Sequence, residues 1–436
     1  GQGLRVRIAF LTPGTGNYYC GVCMRDNSLA CHLINDGHDV TMLPAYLPHL
    51  LDEENVGSEA PVFLGGINVY LQHRFPFFRK TPKWLDSWFN SEFLLRWVAG
   101  KRGMNTPRQL GEITLSTFRA KDGPLAKEVN KVIDWFRDYG QPDILILSTI
   151  LLAGVGRAVR EELKIPVIGF LQGEDGFLDS LLPEYREDAW KILGKDAQEL
   201  DACVSPSRSF AKHMGSRLGI SENDIHSFPN GISLDGYENS AEKADAPTIG
   251  YLARICPEKG LDLLIDAFIE LKRSDQYKDV KLAIAGTLPV ENVSFLEEQK
   301  AKISDVGLTD FVEIKTNLSR SEKICFLKGL SLFCVPARLP EAFGLYVIEA
   351  MAAGVPVVLP DHGSFPEIIR ETKAGMLYSV DEPSGLVNAL SAMLGDTDQA
   401  KQFGEQGRAA VHEKYSNDRL AKELVENILA PLVSTK

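Results

Sequence analysis

The 436-residue sequence lacks any run of about 18 consecutive apolar residues, the length that a membrane-spanning helix requires. Its seven cysteines are an odd number spread over a long chain, which argues against a disulfide framework and for a reducing compartment. It also lacks a surplus of basic residues, and a net charge of −12 argues against broad nucleic-acid binding. These absences predict a cytoplasmic protein with no nucleic-acid partner.

One segment departs from the acidic average. Residues 73–103 carry seven Lys/Arg against two Asp/Glu and contain three of the five tryptophans, Trp84, Trp88 and Trp97. Tryptophan next to cations is typical of surfaces that lie at an anionic membrane interface. Helices that pack these rings inward and leave the cations in solvent explain the same composition. Peripheral contact with the inner membrane face and ordinary packing therefore both stay open.

Buried strands alternate with amphipathic helices along the chain. Continuous apolar runs at 143–149 and 165–172 are typical of parallel strands that are covered on both faces. The same alternation resumes after a polar segment at 235–248. It ends in an amphipathic helix that Ser416 or Asn417 would cap. This pattern predicts an α/β fold with doubly wound domains.

The length and the polar break predict the domain organisation. We expect an N-terminal domain over 1–236, a C-terminal domain over 237–415 and a final helix over 416–436. Two such domains face to face would place a ligand in the cleft between them, outside the carboxyl ends of the strands.

The first glycine-rich loop does not have the spacing of a dinucleotide site. Gly14, Gly16 and Gly21 give G-x-G-x₄-G, and the second strand ends in Leu43-Pro44 without an acidic residue to hold a ribose. A glycine-rich turn that leads into a helix N-terminus suits an anion or a closely packed sugar. A plain strand-to-helix turn explains the segment equally well.

Two later loops carry residues that suit a phosphorylated ligand. Arg254 and Lys259, five residues apart after a strand, can neutralise a diphosphate without a metal ion. Glu341 precedes a small turn at Gly344, where the backbone can approach a ligand closely. Glu349 follows in an apolar run, where an unpaired charge is costly, and this favours a functional role.

Together these motifs resemble glycosyltransferase family 4. They are R-x₄-K at Arg254 and Lys259, E-x₇-E at Glu341 and Glu349 around Phe343-Gly344, PNGI at 229–232, and DGHDV at 36–40. The resemblance implies the GT-B fold, in which two Rossmann-like doubly wound domains face a central cleft and the C-terminal helix crosses back to the first domain. It also implies retaining transfer of a hexose from a nucleotide-sugar donor to an acceptor hydroxyl, without a metal or other cofactor.

The resemblance implies a role for each matched residue. Arg254 and Lys259 would bind the donor diphosphate and stabilise the leaving group, Glu341 would hold donor-sugar hydroxyls, and Glu349 would bind the ribose. The backbone that would lie against the sugar and phosphates belongs to Ala342, Phe343, Gly344 and Leu345. Gly21 would face the donor phosphates, since the family's Gly-Gly loop falls on Cys20-Gly21.

The sequence departs from the family pattern at the donor sugar. Gln172, followed by Gly173, stands where members usually have a histidine, and glutamine can hydrogen-bond a sugar hydroxyl but cannot shuttle a proton. Either Glu174 or Asp175 next to it could contact the acceptor or act as a base. A smaller departure is Ser364, where a second glycine is common.

Several functional alternatives remain on the sequence alone. A UDP-sugar is the favoured donor because such donors are common in these families, and a GDP-sugar is the alternative. The acceptor is a sugar, a lipid-linked molecule or a small molecule. A GT-B epimerase or phosphorylase, or an inactive nucleotide-sugar binding protein, would share the same motifs. Cys20 and Cys23 form a C-x-x-C that suits a metal, a redox pair or, by default, small-residue packing.

Overall fold

The computed structural model describes most of the chain outside the first loop and the basic segment. The described residues are 5–13, 21–45, 107–123, 126–238 and 245–434. The predictions for Cys20 and for residues 73–103 therefore lie outside the described residues.

Tertiary contacts group the chain into two units. Among the described residues, the N-terminal unit contains those up to Pro206, 211–228 and those from Ala421 onward. The C-terminal unit contains 207–210 and 229–420. The sequence places the corresponding boundaries at 236 and 415.

The described part of the N-terminal unit is built on a parallel six-stranded sheet, in the order β2-β1-β3-β4-β5-β6. Its strands are β1 (Arg7–Pro13), β2 (Asp39–Ala45), β3 (Ile144–Leu147), β4 (Val167–Phe170), β5 (Ala202–Ser205) and β6 (Ile225–Ser227). The helices of this part of the chain are α1 (Gly21–Asn35), α2 (Pro107–Arg119), α3 (Ala126–Tyr139), α4 (Ala153–Leu163), α5 (Asp175–Ser180), α6 (Pro183–Gln198) and α7 (Arg208–Leu218). Every residue of β3, β4 and β5 is buried, as their continuous apolar runs predict.

The described part of the C-terminal unit contains a second parallel six-stranded sheet, in the order β12-β11-β10-β7-β8-β9. Its strands are β7 (Thr248–Leu252), β8 (Lys281–Gly286), β9 (Val312–Thr316), β10 (Leu332–Cys334), β11 (Val357–Pro360) and β12 (Gly375–Tyr378). Its helices are α8 (Leu261–Leu271), α9 (Val293–Asp305), α10 (Arg320–Lys328), α11 (Leu345–Ala352), α12 (Phe365–Thr372), α13 (Gly385–Gly395) and α14 (Thr397–Lys414). The predicted α/β fold with two doubly wound sheets is confirmed.

Each sheet has a point where its strand order reverses. In the C-terminal unit this point lies between β7 and β10, because β8 and β9 extend to one side and β11 and β12 to the other. Doubly wound sheets bind ligands outside the carboxyl ends of the strands at this point. The loops that leave β7 and β10 there are 253–260 and 335–344, and they carry most of the predicted donor-site residues.

The predicted C-terminal helix consists of three consecutive helical segments. These are α15 (Asn417–Leu424), a π-helical turn (Val425–Leu429) and α16 (Ala430–Val433). Ser416 Oγ accepts a hydrogen bond from Arg419 N at 3.4 Å, so Ser416 is the cap. Pro431 has no N–H to donate, which prevents a regular α-helical ladder from continuing through this region.

No helix within the described residues is both long enough and apolar enough to cross a membrane.

Two adjacent leucines on α8 provide a test of the C-terminal core. Leu264 is fully buried, whereas Leu263 is 37% exposed. Leu264→Ala should lower the free energy of unfolding by about 2–5 kcal/mol, because the cavity it leaves adds to the lost burial. Leu263→Ala should change it by less than about 0.5 kcal/mol. Scanning calorimetry of both variants checks this, and equal losses would contradict the assigned packing of α8.

Candidate functional site

Lys259 lies in a tightly held loop after β7. The loop ends in a 3₁₀ turn, Pro257–Lys259, followed by Gly260 at φ +72°. A Cβ at Gly260 would lie 1.9 Å from the carbonyl oxygen of Pro336, so the loop after β7 packs directly on the loop after β10. That contact, in addition to the positive φ, requires glycine at this position.

Arg338 ties the same two loops together. Its guanidinium donates to both carboxylate oxygens of Asp262, at 2.8 and 2.7 Å, and to the carbonyl oxygen of Pro257 at 2.5 Å. Burial raises the pKa of the Asp262 carboxyl, but the hydrogen bonds and charge of Arg338, together with the backbone amides of Asp262 and Leu263, outweigh it and leave the pKa below its usual value. This clamp fixes the start of α8 and the turn that carries Lys259.

Lys259 and Glu341 form an ion pair in which both side chains are mostly buried, with 22% and 17% exposure. Tyr346 donates to the same carboxylate oxygen, Oε1, at 3.1 Å. Burial of the Tyr346 hydroxyl, reinforced by the Glu341 charge, raises its pKa well above the usual value. Among the described residues neither Lys259 nor Tyr346 donates to Oε2 of Glu341, so this oxygen keeps its capacity to accept bonds from a ligand.

The carbonyl groups of residues 341–343 are all held by serines. Ser364 N donates to the Glu341 carbonyl at 3.1 Å, Ser207 Oγ to that of Ala342 at 2.7 Å, and Ser364 Oγ to that of Phe343 at 2.6 Å. Since N–H and C=O point in opposite directions across a trans peptide, the following amides are turned away from these serines. Within the described residues, the amides of 342–345 donate to no backbone carbonyl.

These free amides open helix α11. Gly344, the residue before the helix, has φ +86° and ψ +65°. Unpaired N–H groups at a helix N-terminus, together with the helix dipole, form an anion site. The loop that the sequence predicts for contact with sugar and phosphate, Phe343 to Leu345, therefore has amides available for such a contact.

Glu349 is paired with a residue that sequence reasoning missed. Its Oε2 lies 2.5 Å from Nζ of Lys323, although the angle is not that of a hydrogen bond, and the Glu349 side chain is only 12% exposed. Lys323 is placed by α10, which starts in a capping box formed by Ser319 and Glu322. The S-x-x-E pattern could have located α10 from the sequence. It could not have shown that Lys323 on this helix contacts Glu349 on α11.

The N-terminal unit carries the other predicted residues. Gly21 is the first residue of α1, and Gln172 and Gly173 follow β4. The side-chain Nε2 of Gln172 is enclosed and has no hydrogen-bond partner within the described residues. Gly173 has φ +112°.

The structure argues against Glu174 as a base. Glu174 is 5% exposed, and both its carboxylate oxygens accept hydrogen bonds from the protein. The adjacent Asp175 contacts Nε2 of His213 at 2.9 Å.

The predicted site residues are divided between the two units. The C-terminal unit contains Arg254, Lys259, Glu341, Phe343 to Leu345 and Glu349. Their roles toward a donor remain predictions.

No group of three or more His, Cys, Asp or Glu side chains that could hold a metal ion occurs within the described residues. Cys31 is a half-buried free thiol. The hypothesis of a metal at Cys20 and Cys23 lies outside the residues whose side chains are described.

Two family models match consecutive parts of the chain. Residues 106–235 match the model described as Glycosyltransferase Family 4, and residues 237–410 match Glycosyl transferases group 1. The chain belongs to glycosyltransferase family 4. The resemblance drawn from the motifs is confirmed.

Curated relatives of this family-4 chain are glycosyltransferases. The D-inositol 3-phosphate glycosyltransferase of Nocardia farcinica is 28% identical over 66% of this chain and 66% of its own length. A GDP-mannose-dependent α-(1-6)-phosphatidylinositol monomannoside mannosyltransferase of Mycolicibacterium smegmatis is 29% identical over 52% of this chain and 61% of its own length. A phosphatidyl-myo-inositol mannosyltransferase of Mycobacterium leprae is matched over 49% of its length, so the chain spans about half to two thirds of these relatives.

Solved structures confirm the GT-B fold of the family-4 chain. The crystal structure of Anabaena HepE in complex with UDP has a TM-score of 0.68 at 17% identity and covers 97% of this chain and 100% of its own. Sucrose-phosphate synthase from Thermosynechococcus elongatus has a TM-score of 0.69 at 17% identity, with coverage of 99% and 100%. Both comparisons concern the fold.

Two glycines with positive φ test the turn before α11. A Cβ at Gly344 would lie 2.7 Å from the Phe365 ring, whereas one at Gly354, φ +75°, would meet nothing within 4 Å. Gly354→Ala should lose about 1–2 kcal/mol of unfolding free energy through backbone strain alone. Gly344→Ala should lose at least about 1 kcal/mol more because of the clash. Calorimetry that gives equal losses would contradict the close packing of this turn.

Proposed function

We propose that the protein is a retaining hexosyltransferase that moves a hexose from a nucleoside-diphosphate sugar to an acceptor hydroxyl without a metal ion. The observation that carries the proposal is the arrangement around the Lys259–Glu341 ion pair. A cation, a carboxylate with one oxygen available and a row of unpaired amides lie together where the strand order of the sheet reverses. This combination suits a sugar joined to a diphosphate.

In the proposed reaction, the protein acts mainly by positioning the donor and by stabilising charge on the leaving group. Lys259 and Arg254 bind the diphosphate, and the amides that open α11 donate to its oxygens. Preorganised donors of this kind contribute about 10²- to 10³-fold each to the rate when they face developing negative charge.

Glu341 and Gln172 are assigned to the sugar. Glu341 accepts bonds from hydroxyls through Oε2, and the Gln172 amide donates to a sugar hydroxyl. The acceptor hydroxyl attacks the face that the nucleotide leaves, and a donor phosphate oxygen takes the proton. The anomeric configuration is therefore retained without a protein nucleophile.

Glu349 is assigned to the ribose diol. Its contact with Lys323 compensates the charge of a carboxylate that is only 12% exposed. Donor binding adds hydroxyl hydrogen bonds to that carboxylate.

The donor base is proposed as uracil, with guanine as the alternative. A HepE structure of this fold contains UDP-glucose, and the M. smegmatis relative is GDP-mannose-dependent. The acceptor is proposed to be a hydroxyl on a sugar or a lipid-linked molecule, in line with the phosphatidylinositol-modifying relatives.

A nucleotide screen tests the donor site. We expect UDP or GDP, but not NAD, to raise the unfolding temperature with a chelator present. A ligand that binds only the folded state adds about 2.7 kcal/mol of stability at 100 times its dissociation constant. No stabilisation by any nucleoside diphosphate under these conditions would refute a metal-independent site.

The Lys259→Gln variant tests the ion pair as part of that site. Loss of a charged hydrogen bond, about 1.5–3 kcal/mol, should weaken nucleoside-diphosphate binding about tenfold or more. The exposed Lys278→Gln is the matched control and should bind like the wild type.

The stereochemistry of the product tests the retaining mechanism. When the wild-type protein turns over a nucleotide sugar, NMR should show the anomeric configuration of the donor in the sugar product. A product of inverted configuration would contradict the proposed mechanism.

The basic segment 73–103 is proposed as a peripheral membrane contact. The protein should co-sediment with vesicles that contain anionic lipid at low salt and should be released at high salt, because exposed charges are screened there. Vesicles of neutral lipid are the control. Absence of binding to anionic vesicles at low salt would eliminate this contact.

A further inference from the structure

Glu174 is a buried carboxylate that the proposed mechanism does not use. It follows β4 by a few residues and is 5% exposed, yet no cation pairs with it within the described residues. A carboxylate in such a place is costly unless hydrogen bonds compensate it. Its compensation comes from its own loop and from the loop that follows β3.

Three protein donors satisfy the Glu174 carboxylate. Oε2 accepts from the amides of Gln172 at 2.8 Å and Gly173 at 3.0 Å. Oε1 accepts from Thr149 Oγ1 at 2.7 Å. Thr149 follows β3, the strand next to β4, and its Oγ1 also accepts from Leu151 N at 3.4 Å at the start of a 3₁₀ turn. The carboxylate therefore joins the loops at the carboxyl ends of two neighbouring strands.

The conformation of the loop depends on this carboxylate. Two consecutive amides can converge on one oxygen only in a tightly curved backbone, and Gly173 has φ +112°, where most side chains are strained. A Cβ at Gly173 would meet nothing within 4 Å, so the glycine serves the backbone conformation and not close packing.

The surroundings of Glu174 leave hydrogen bonds as the source of its stabilisation. Burial raises the pKa of Glu174, and the hydrogen bonds from Thr149 and from the backbone amides of residues 172–174 oppose that rise. Burial, with the Glu174 charge as a smaller cause, also raises the pKa of the Cys203 thiol to about 12, so the thiol stays neutral. The curved loop therefore supplies hydrogen bonds that stabilise the Glu174 carboxylate, and the carboxylate in turn holds the loop in that curved conformation.

The side chain that this loop carries has no partner of its own. Gln172 Nε2 is enclosed and donates no hydrogen bond within the described residues. Leaving a buried amide donor unpaired costs about 1–3 kcal/mol. An unsatisfied donor of this kind can bond a ligand acceptor that reaches it, and the position of the Gln172 side chain depends on the backbone that Glu174 fixes.

We propose that Glu174 is a positioning residue that fixes the Gln172–Gly173 backbone, so that the Gln172 amide is held in place for the donor sugar. This inference rests on the proposed transfer function. Glu174 itself contacts neither substrate nor the reacting atoms, and it acts through Gln172.

A double-mutant cycle tests the coupling. Glu174→Gln keeps the shape but replaces the carboxylate by an amide with a single acceptor oxygen. It should lower kcat for donor hydrolysis or transfer by about tenfold or more, equivalent to about 1.4 kcal/mol, with the donor KM changed less than about twofold. Gln172→Ala should lower kcat similarly. The kcat of the double variant should equal that of Gln172→Ala alone within about twofold, because both substitutions remove the same contact with the sugar.

Amide hydrogen exchange provides a readout that does not depend on activity. Glu174→Gln should accelerate exchange at the amides of Gln172 and Gly173 about tenfold or more and leave β5 unchanged. Thr149→Val should show a smaller acceleration and Thr149→Ser should restore wild-type exchange. This pair keeps the test valid if the Glu174 variant does not fold. The exposed Glu187→Gln on α6 is the control for loss of a carboxylate.

The outcomes separate the two hypotheses. Additive kinetic effects of Gln172→Ala and Glu174→Gln, or unchanged exchange in Glu174→Gln, would overturn the positioning role. Wild-type protein that turns over no UDP- or GDP-hexose would overturn the proposed function, whatever the exchange shows. Accelerated exchange with non-additive kinetics supports both.

Discussion

The ion pair between Lys259 and Glu341 is the interaction on which the candidate site depends. Its partners are 82 positions apart in the sequence and meet because the strand order places β10 next to β7. Gly260 and Arg338 hold the two loops in contact, so the pair forms on a rigid support. A preorganised charge of this kind needs little rearrangement when a ligand arrives.

Backbone groups contribute as much to the site as side chains do. The serines that hold the carbonyls of residues 341–343 orient the amides that open α11. Ser364 supplies two of these three bonds, and the one from its Oγ is a bond that the more common glycine lacks. The departure therefore adds a constraint to the loop, and it does so without introducing a charge.

The N-terminal unit uses a related device with the opposite polarity. There a buried carboxylate accepts hydrogen bonds from backbone amides, whereas in the C-terminal unit serines donate hydrogen bonds to backbone carbonyls. Both arrangements fix a loop at the carboxyl edge of a parallel sheet. Satisfied buried polar groups give such loops a unique conformation. The side-chain Nε2 of Gln172 remains without a partner among the described residues.

The sequence by itself determined the alternation of strands and helices and the family, because periodicity and motif spacing are local properties. It narrowed the cap of the last helix to Ser416 or Asn417, and the structure decided for Ser416. It also identified Arg254, Lys259, Glu341 and Glu349 as candidates. Only the tertiary structure assigned their partners. Lys323 beside Glu349, Ser207 on the Ala342 carbonyl 135 positions away, and Thr149 on Glu174 25 positions away follow from strand order and loop packing. No local pattern encodes these contacts, since their partners come from separate elements that meet only in the folded chain.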